Sequence, residues 1–237
     1  MKLAPPIHYN HFDASLSRED AKALFKSSVS YVSIETFSYC NRKCWFCANS
    51  FIPRADTKAN KVMETELLEK IVRGLGEINY TKTINISGYN EPMADKRIVD
   101  HIAVVRRHVP QATISIFSNG DYLTIKMLEA LYEAGLNELY LSIHTGNNEA
   151  LNVAKVEKRI AHYRDIGLDV RMSHMEPGKQ YKGRIPYKDM FIQLYEPNMK
   201  TMGSDMGGLI KDVEHTHHRT EACFEPTGLS RLSSMGT

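Results

Sequence analysis

The chain has 237 residues, 42% hydrophobic and 24% charged, with 30 Lys and Arg against 28 Asp and Glu for a formal net charge of +2. That balance suits a globular fold, excludes collagen-like, coiled-coil and disordered chains, and offers no bulk attraction for nucleic acid. No apolar run approaches the roughly 18 residues of a membrane helix, and the first residues lack the apolar core of a secretory signal, so a cytoplasmic protein without a membrane partner is expected.

In chain order, residues 1–28 read as a short N-terminal extension with a helix at Arg18–Lys26. β-type runs then recur at Tyr31–Thr36, Thr83–Ser87, Thr113–Phe117, Glu138–Ile143, Leu168–Met172 and Met190–Tyr195. The first four gaps carry helical stripes: Met63, Leu67, Ile71 and Leu75; Ile98, Ile102 and Val105; Leu123, Met127 and Leu131; Val153, Val156, Ile160 and Tyr163. Gly135 and Gly167 follow the third and fourth stripes, where helix C-caps belong.

Strand–helix alternation at this rhythm predicts a parallel α/β sheet. At roughly 31 residues per unit of a closed barrel, residues 31–195 suffice for five or six units. The fold expected is therefore a partial (β/α)6 TIM-like barrel over residues 29–200, with a C-terminal extension at 201–237. A doubly wound sheet competes, but its Gly-rich phosphate loop is absent after the first strand. Ligands of such folds bind beyond the carboxyl ends of the strands, where the polar clusters of this chain all fall.

The first cluster is Cys40-Asn41-Arg42-Lys43-Cys44-Trp45-Phe46-Cys47, which holds three of only four cysteines; the fourth is Cys223. Three thiolates at C-x3-C-x2-C spacing can hold three corners of an iron–sulfur cubane and leave one iron open to a small molecule. Arg42 and Lys43 are expected to favour thiolate over thiol. A structural zinc knuckle would need a fourth ligand, from Cys223 or a histidine. Gly88-Tyr89-Asn90-Glu91-Pro92 ends the second strand, with Glu91 and exposed carbonyls suited to a cation and Asn90 tolerant of a left-handed backbone. Ser118-Asn119-Gly120 ends the third, offering a hydroxyl and an amide, or simply a turn. Ser142 ends the fourth strand and Arg171 lies on the fifth.

The cysteine run with an aromatic residue before its last cysteine, placed after a barrel strand, resembles the signature of the radical S-adenosylmethionine (radical SAM) superfamily. The resemblance extends in order and spacing over residues 31–197. It implies a [4Fe–4S] cluster on Cys40, Cys44 and Cys47. It also implies S-adenosylmethionine contacts at Phe46, near the adenine, and at Gly88, Tyr89, Asn90, Glu91, Ser118, Asn119 and Ser142. Family members often have an arginine about a dozen residues after the serine, to bind the methionine carboxylate. Ala154 stands at that spacing here, with Lys155 adjacent, so the resemblance does not single out the carboxylate partner, and Arg171 is another candidate.

The activity implied is reductive cleavage of S-adenosylmethionine to a 5′-deoxyadenosyl radical that abstracts hydrogen from a substrate, with an electron donor of the flavodoxin or ferredoxin type. Cys223-Phe-Glu-Pro226 resembles the start of a SPASM or twitch domain, incomplete here, which leans the substrate toward a peptide or protein. A zinc-binding interaction protein and an inactive, shortened relative are the alternatives. His144 and the tract His215, His217 and His218 are read as solvated or satisfied histidines rather than as ligands.

Overall fold

Alternation along the strands divides the sheet into two unlike faces. In the computed structural model, which describes residues 16–51, 60–143, 152–176, 180–203, 206, 209–211 and 213, seven strands form one sheet in the order β1-β2-β3-β4-β7-β6-β5. The strands are β1 (Tyr31–Ser33), β2 (Thr83–Asn85), β3 (Thr113–Ser118), β4 (Glu138–Ser142), β5 (Arg171–Glu176), β6 (Gln180–Arg184) and β7 (Phe191–Pro197). Strands β1 to β4 and β7 run parallel, with Ile84 beside Ile114, Ile116 beside Leu139, and Leu139 beside Ile192.

Those Ile and Leu side chains, with Ile86, Leu141 and Leu194, point to one face and are almost wholly buried. Helices α2 (Thr65–Glu77), α3 (Ile98–His108), α4 (Ile125–Glu133) and α5 (Val153–Asp165) cover that face. Leu68, Val72, Ile102, Val105, Leu128, Leu131, Val156 and Ile160 of these helices join the strand residues in one core. Each such side chain contributes roughly 1.5–3 kcal/mol on burial, which is why the apolar stripes dictate the layer. Side-chain oxygens of Thr124 and Asn152 cap α4 and α5 at their N-termini, and Gly135 and Gly167 close them with positive φ. Helix α1 (Arg18–Ser28), capped by Ser17, buries no side chain fully and touches the body through Phe25, whose ring lies 6.2 Å from that of Tyr80.

The class and the open, partial-barrel architecture are as expected, while three details differ. The segment read as a fifth barrel strand instead forms β5 at the sheet edge, antiparallel to β6, and β6 was not foreseen. A parallel neighbour needs a crossover of a dozen or more residues, usually helical, and the stretch between Met172 and Met190 carries no helical stripe. The chain therefore returns through a hairpin, and β7 takes the place beside β4. In α2 the inward stripe is Leu68, Val72 and Leu75, with Leu67 exposed, and in α4 Leu128 is buried where Met127 is only partly so. His144, His215, His217, His218 and Cys223 lie outside the described residues.

Candidate active site

The carboxyl ends of β1 to β4 meet around a cavity of about 190 Å³, lined by Cys40, Arg42, Cys44, Phe46, Cys47, Gly88, Tyr89, Asn90, Glu91, Phe117, Ser118, Asn119 and Ser142. Every site residue expected from the sequence is thus brought to one place, except Arg171. That side chain sits on the edge strand, paired with Asp169 at 2.6 Å and largely exposed.

The cysteine loop leaves β1 and closes in a short 3-10 turn at Ala48–Ser50, where the Ser50 hydroxyl donates to the Cys44 carbonyl at 2.6 Å. All three cysteines are reduced thiols outside any disulfide, half-buried at the cavity wall. Burial pushes the Cys44 thiol up to about 12; Arg42 opposes this, and the other two thiols add to it. Cys40 is raised as well, chiefly by burial. The expectation that Arg42 and Lys43 would favour thiolates is therefore not met by the protein alone. Arg42 does pull toward the thiolate, but desolvation outweighs its guanidinium; a bound cationic centre would favour deprotonation.

Asp121 pins the loop. It accepts from Asn41 Nδ2 at 2.8 Å and from both Arg42 Nε and a terminal Arg42 nitrogen at 2.6 Å, and it also pairs with Arg159 of α5. Burial alone would raise its carboxyl, but Arg42, Arg159 and Asn41 together hold it well below the usual carboxylate range. Behind the loop, Trp45 is buried against Ile210 and Val213, with Phe46 edge-on to it at 5.6 Å.

Glu91 joins the second and third turns. One oxygen accepts the Ser118 hydroxyl at 2.7 Å and the Met93 N–H at 3.0 Å; the other accepts the Asn119 N–H at 2.7 Å. Its carboxyl is raised by burial, against the pull of those donors. Glu91 therefore acts first as a strut that sets the cavity floor. Asn119 in turn donates to Asn41 Oδ1 at 2.8 Å, which ties the third turn to the cysteine loop. The glycine after it is obligatory. Gly120 has φ +70, and a Cβ there would lie 2.0 Å from the Tyr163 hydroxyl.

Asn90 works differently from expectation. The non-glycine residues with positive φ among those described are Asn79, Lys188 and Met206, so Asn90 is not left-handed. Its side-chain oxygen instead accepts the Gly88 N–H at 2.9 Å, forming a local turn. The Asn90 Nδ2 is buried and has no hydrogen-bond partner among the described residues. An unpartnered buried donor in the same cavity lining as the three thiols suits a cavity that takes a polar ligand. Among the described residues, no three Cys, His, Asp or Glu side chains are gathered to hold a lone metal ion. Three soft thiols on one cavity wall are the donor set that an iron–sulfur cubane takes, each thiolate binding an iron of its own.

Sequence reasoning missed Asp121 and Arg159. Both are remote from the cysteine motif along the chain, and charged residues on a turn or helix otherwise read as solvated.

Residues 34–175, about three fifths of the chain, match the Radical SAM superfamily. The S-adenosyl-L-methionine-dependent 2-deoxy-scyllo-inosamine dehydrogenase of Niallia circulans is 25% identical over 207 residues, 87% of this chain and 71% of that protein. A GTP 3′,8-cyclase of Chlorobaculum tepidum is 32% identical over 139 residues, 56% of this chain and 40% of the cyclase. Among solved structures, that of BtrN in complex with AdoMet and 2-DOIA superposes with a TM-score of 0.46 and 29% identity, covering 54% of each chain. The chain thus spans about half of that structure and two fifths of the cyclase.

Proposed function

The chain belongs to the radical SAM superfamily, and from that premise we propose that it binds a [4Fe–4S] cluster on Cys40, Cys44 and Cys47, holds S-adenosylmethionine in the adjoining cavity, and removes a hydrogen atom from a substrate. Proteins of this family are enzymes that use those two cofactors. The observation that carries the reading is that one cavity is lined by the three cysteine thiols and by the buried Asn90 side chain, whose Nδ2 lacks a partner among the described residues. When bound and reduced, the cluster supplies the electron that splits S-adenosylmethionine into methionine and a 5′-deoxyadenosyl radical.

The residues of the chain do the holding. Cys40, Cys44 and Cys47 ligate, and Asp121 keeps their loop in register through Arg42 and Asn41. Gly88, Tyr89, Asn90 and Ser142 line the chamber for S-adenosylmethionine, with Phe46 for its adenine. Glu91, Ser118 and Asn119 hold the chamber's turns at their spacing. Trp45, Ile210 and Val213 pack together behind the loop and anchor it.

An electron donor of the flavodoxin or ferredoxin type completes the reaction. The substrate class supported best is a small polar metabolite, because the dehydrogenase and the cyclase similar to this chain are named for such molecules. A peptide is the second reading, favoured by the Cys223-Phe-Glu-Pro226 segment. The test is anaerobic reconstitution with iron and sulfide, followed by metal analysis and EPR with and without S-adenosylmethionine. A cubane signal that changes on adding S-adenosylmethionine is expected. A protein that takes up zinc and forms no cluster is an interaction module instead.

A further inference from the structure

The covered face of the sheet is apolar, and the opposite face is not. Register places Phe117 beside Tyr140, Tyr140 beside Gln193, and Gln193 beside Arg184, all on one level of the open face. One level nearer the mouth, Ser142 lies beside Tyr195 and Tyr195 beside Lys182. Phe117 and Ser142 line the cavity already described, so this row begins at the cavity and runs away from it across β4, β7 and β6.

The row has two kinds of surface. Phe117 is 43% exposed although its neighbours Ile114 and Ile116 are fully buried. Its ring stacks on Tyr140 at 4.6 Å and 12°, and Tyr140 leads on to Phe191 at 5.7 Å. Beyond the rings stand two cations. The Arg184 guanidinium lies 3.6 Å from the centre of the Phe191 ring, and the Lys182 ammonium 5.6 Å from that of Tyr195. Aromatic contacts of this kind hold a cation in place without neutralising it. Among the described residues, neither Lys182 nor Arg184 has a carboxylate within ion-pair distance. The other charges of this face are engaged: Glu138 accepts the Tyr140 hydroxyl at 3.0 Å, Arg171 pairs with Asp169, and Glu176 lies beside His174.

We infer that this row binds the substrate, with Lys182 and Arg184 taking a phosphate or carboxylate while Phe117 and Tyr140 pack against its ring or carbon skeleton. The inference deepens the proposed function and rests on it. Two strand spacings separate β4 from β6, about 10 Å, so the anionic end sits that far from the cavity mouth. A small phosphorylated or carboxylated molecule spans that distance with its neutral end at the cavity.

The test uses the reconstituted full chain and three probes with one ring in common: phenyl phosphate, benzoate and neutral benzyl alcohol, titrated by calorimetry. Both anions should bind more tightly than benzyl alcohol. The double variant Lys182→Met with Arg184→Met should weaken the anions about tenfold or more and leave benzyl alcohol unchanged. Phe117→Ala should weaken all three, and Lys188→Met, elsewhere on the surface, none. Phenyl phosphate above benzoate assigns a phosphate, and the reverse order a carboxylate. Anions that bind no better than benzyl alcohol, or that the double variant binds equally well at an unchanged melting temperature, overturn the inference. Cluster content and 5′-deoxyadenosine release, measured separately on the unmodified chain, report on the enzymatic reading, so the two can fail independently.

Discussion

The two faces of the sheet do opposite work with alternate residues of the same strands. On β3, Ile114 and Ile116 are sealed against the helices, whereas Phe117 stands in the cavity wall. On β7, Ile192 and Leu194 are buried, and Phe191, Gln193 and Tyr195 between them are only half covered. A closed barrel of this kind fills its interior with layers of branched apolar side chains. Here the open face is polar and aromatic, and its strands end at a mouth rimmed by thiols. Stability and chemistry are thereby assigned to residues one position apart, and substitutions should separate them.

The largest effect falls at the mouth. Cys44→Ala removes one of the three proposed cluster ligands, and two thiolates cannot hold a cubane. Iron uptake on reconstitution should be lost, while the circular dichroism spectrum stays that of the folded chain. Next comes the covered face. Ile116→Ala leaves a void among fully buried neighbours and should cost about 2–5 kcal/mol in denaturant unfolding. Phe117→Ala, one residue on and facing the opening, should cost less than half as much. Equal losses at the two positions would erase the distinction between the faces.

Two smaller effects concern the struts between the turns. Glu91→Gln keeps the shape but sets an amide N–H against the Asn119 or Met93 N–H, so about 1–3 kcal/mol of stability should go with it. Affinity for S-adenosylmethionine should drop as the floor shifts. Asp121→Asn loosens the cysteine loop from Arg42 and Arg159, at about 1–2 kcal/mol for a site partly open to solvent. Its signature is faster loss of iron to a chelator, with partial rescue in Asp121→Glu, and little change at the sheet.

The covered face was legible because burial imposes periodicity. Ile and Leu at alternate strand positions, and stripes every three or four residues between them, recorded both the elements and their order. The helical stripes were off by one residue in α2, where Leu67 and Leu68 are equally apolar and only packing against α3 decides between them. The mouth was legible through short, dense motifs: the cysteine run, Gly88–Pro92 and Ser118–Gly120. What escaped was chemistry assembled across the fold. Asp121 and Arg159 meet the cysteine loop only once β3 and α5 are in place. Strand β6 was hidden because Gln180-Tyr-Lys-Gly-Arg184 has one face turned to the open side, and polar residues there look like a loop. Its Lys182 and Arg184 became a feature of the face only through their register with β7.

The proposed reaction requires that the three cysteines of this mouth hold a cluster with one iron open to S-adenosylmethionine. The most direct measurement is chromatography for 5′-deoxyadenosine after anaerobic incubation of the reconstituted chain with S-adenosylmethionine and dithionite. Slow release is expected without substrate, because nothing then completes the cavity and excludes water, and no release from the Cys44→Ala variant. A fully reduced cluster that binds S-adenosylmethionine yet yields no 5′-deoxyadenosine would contradict the proposed reaction.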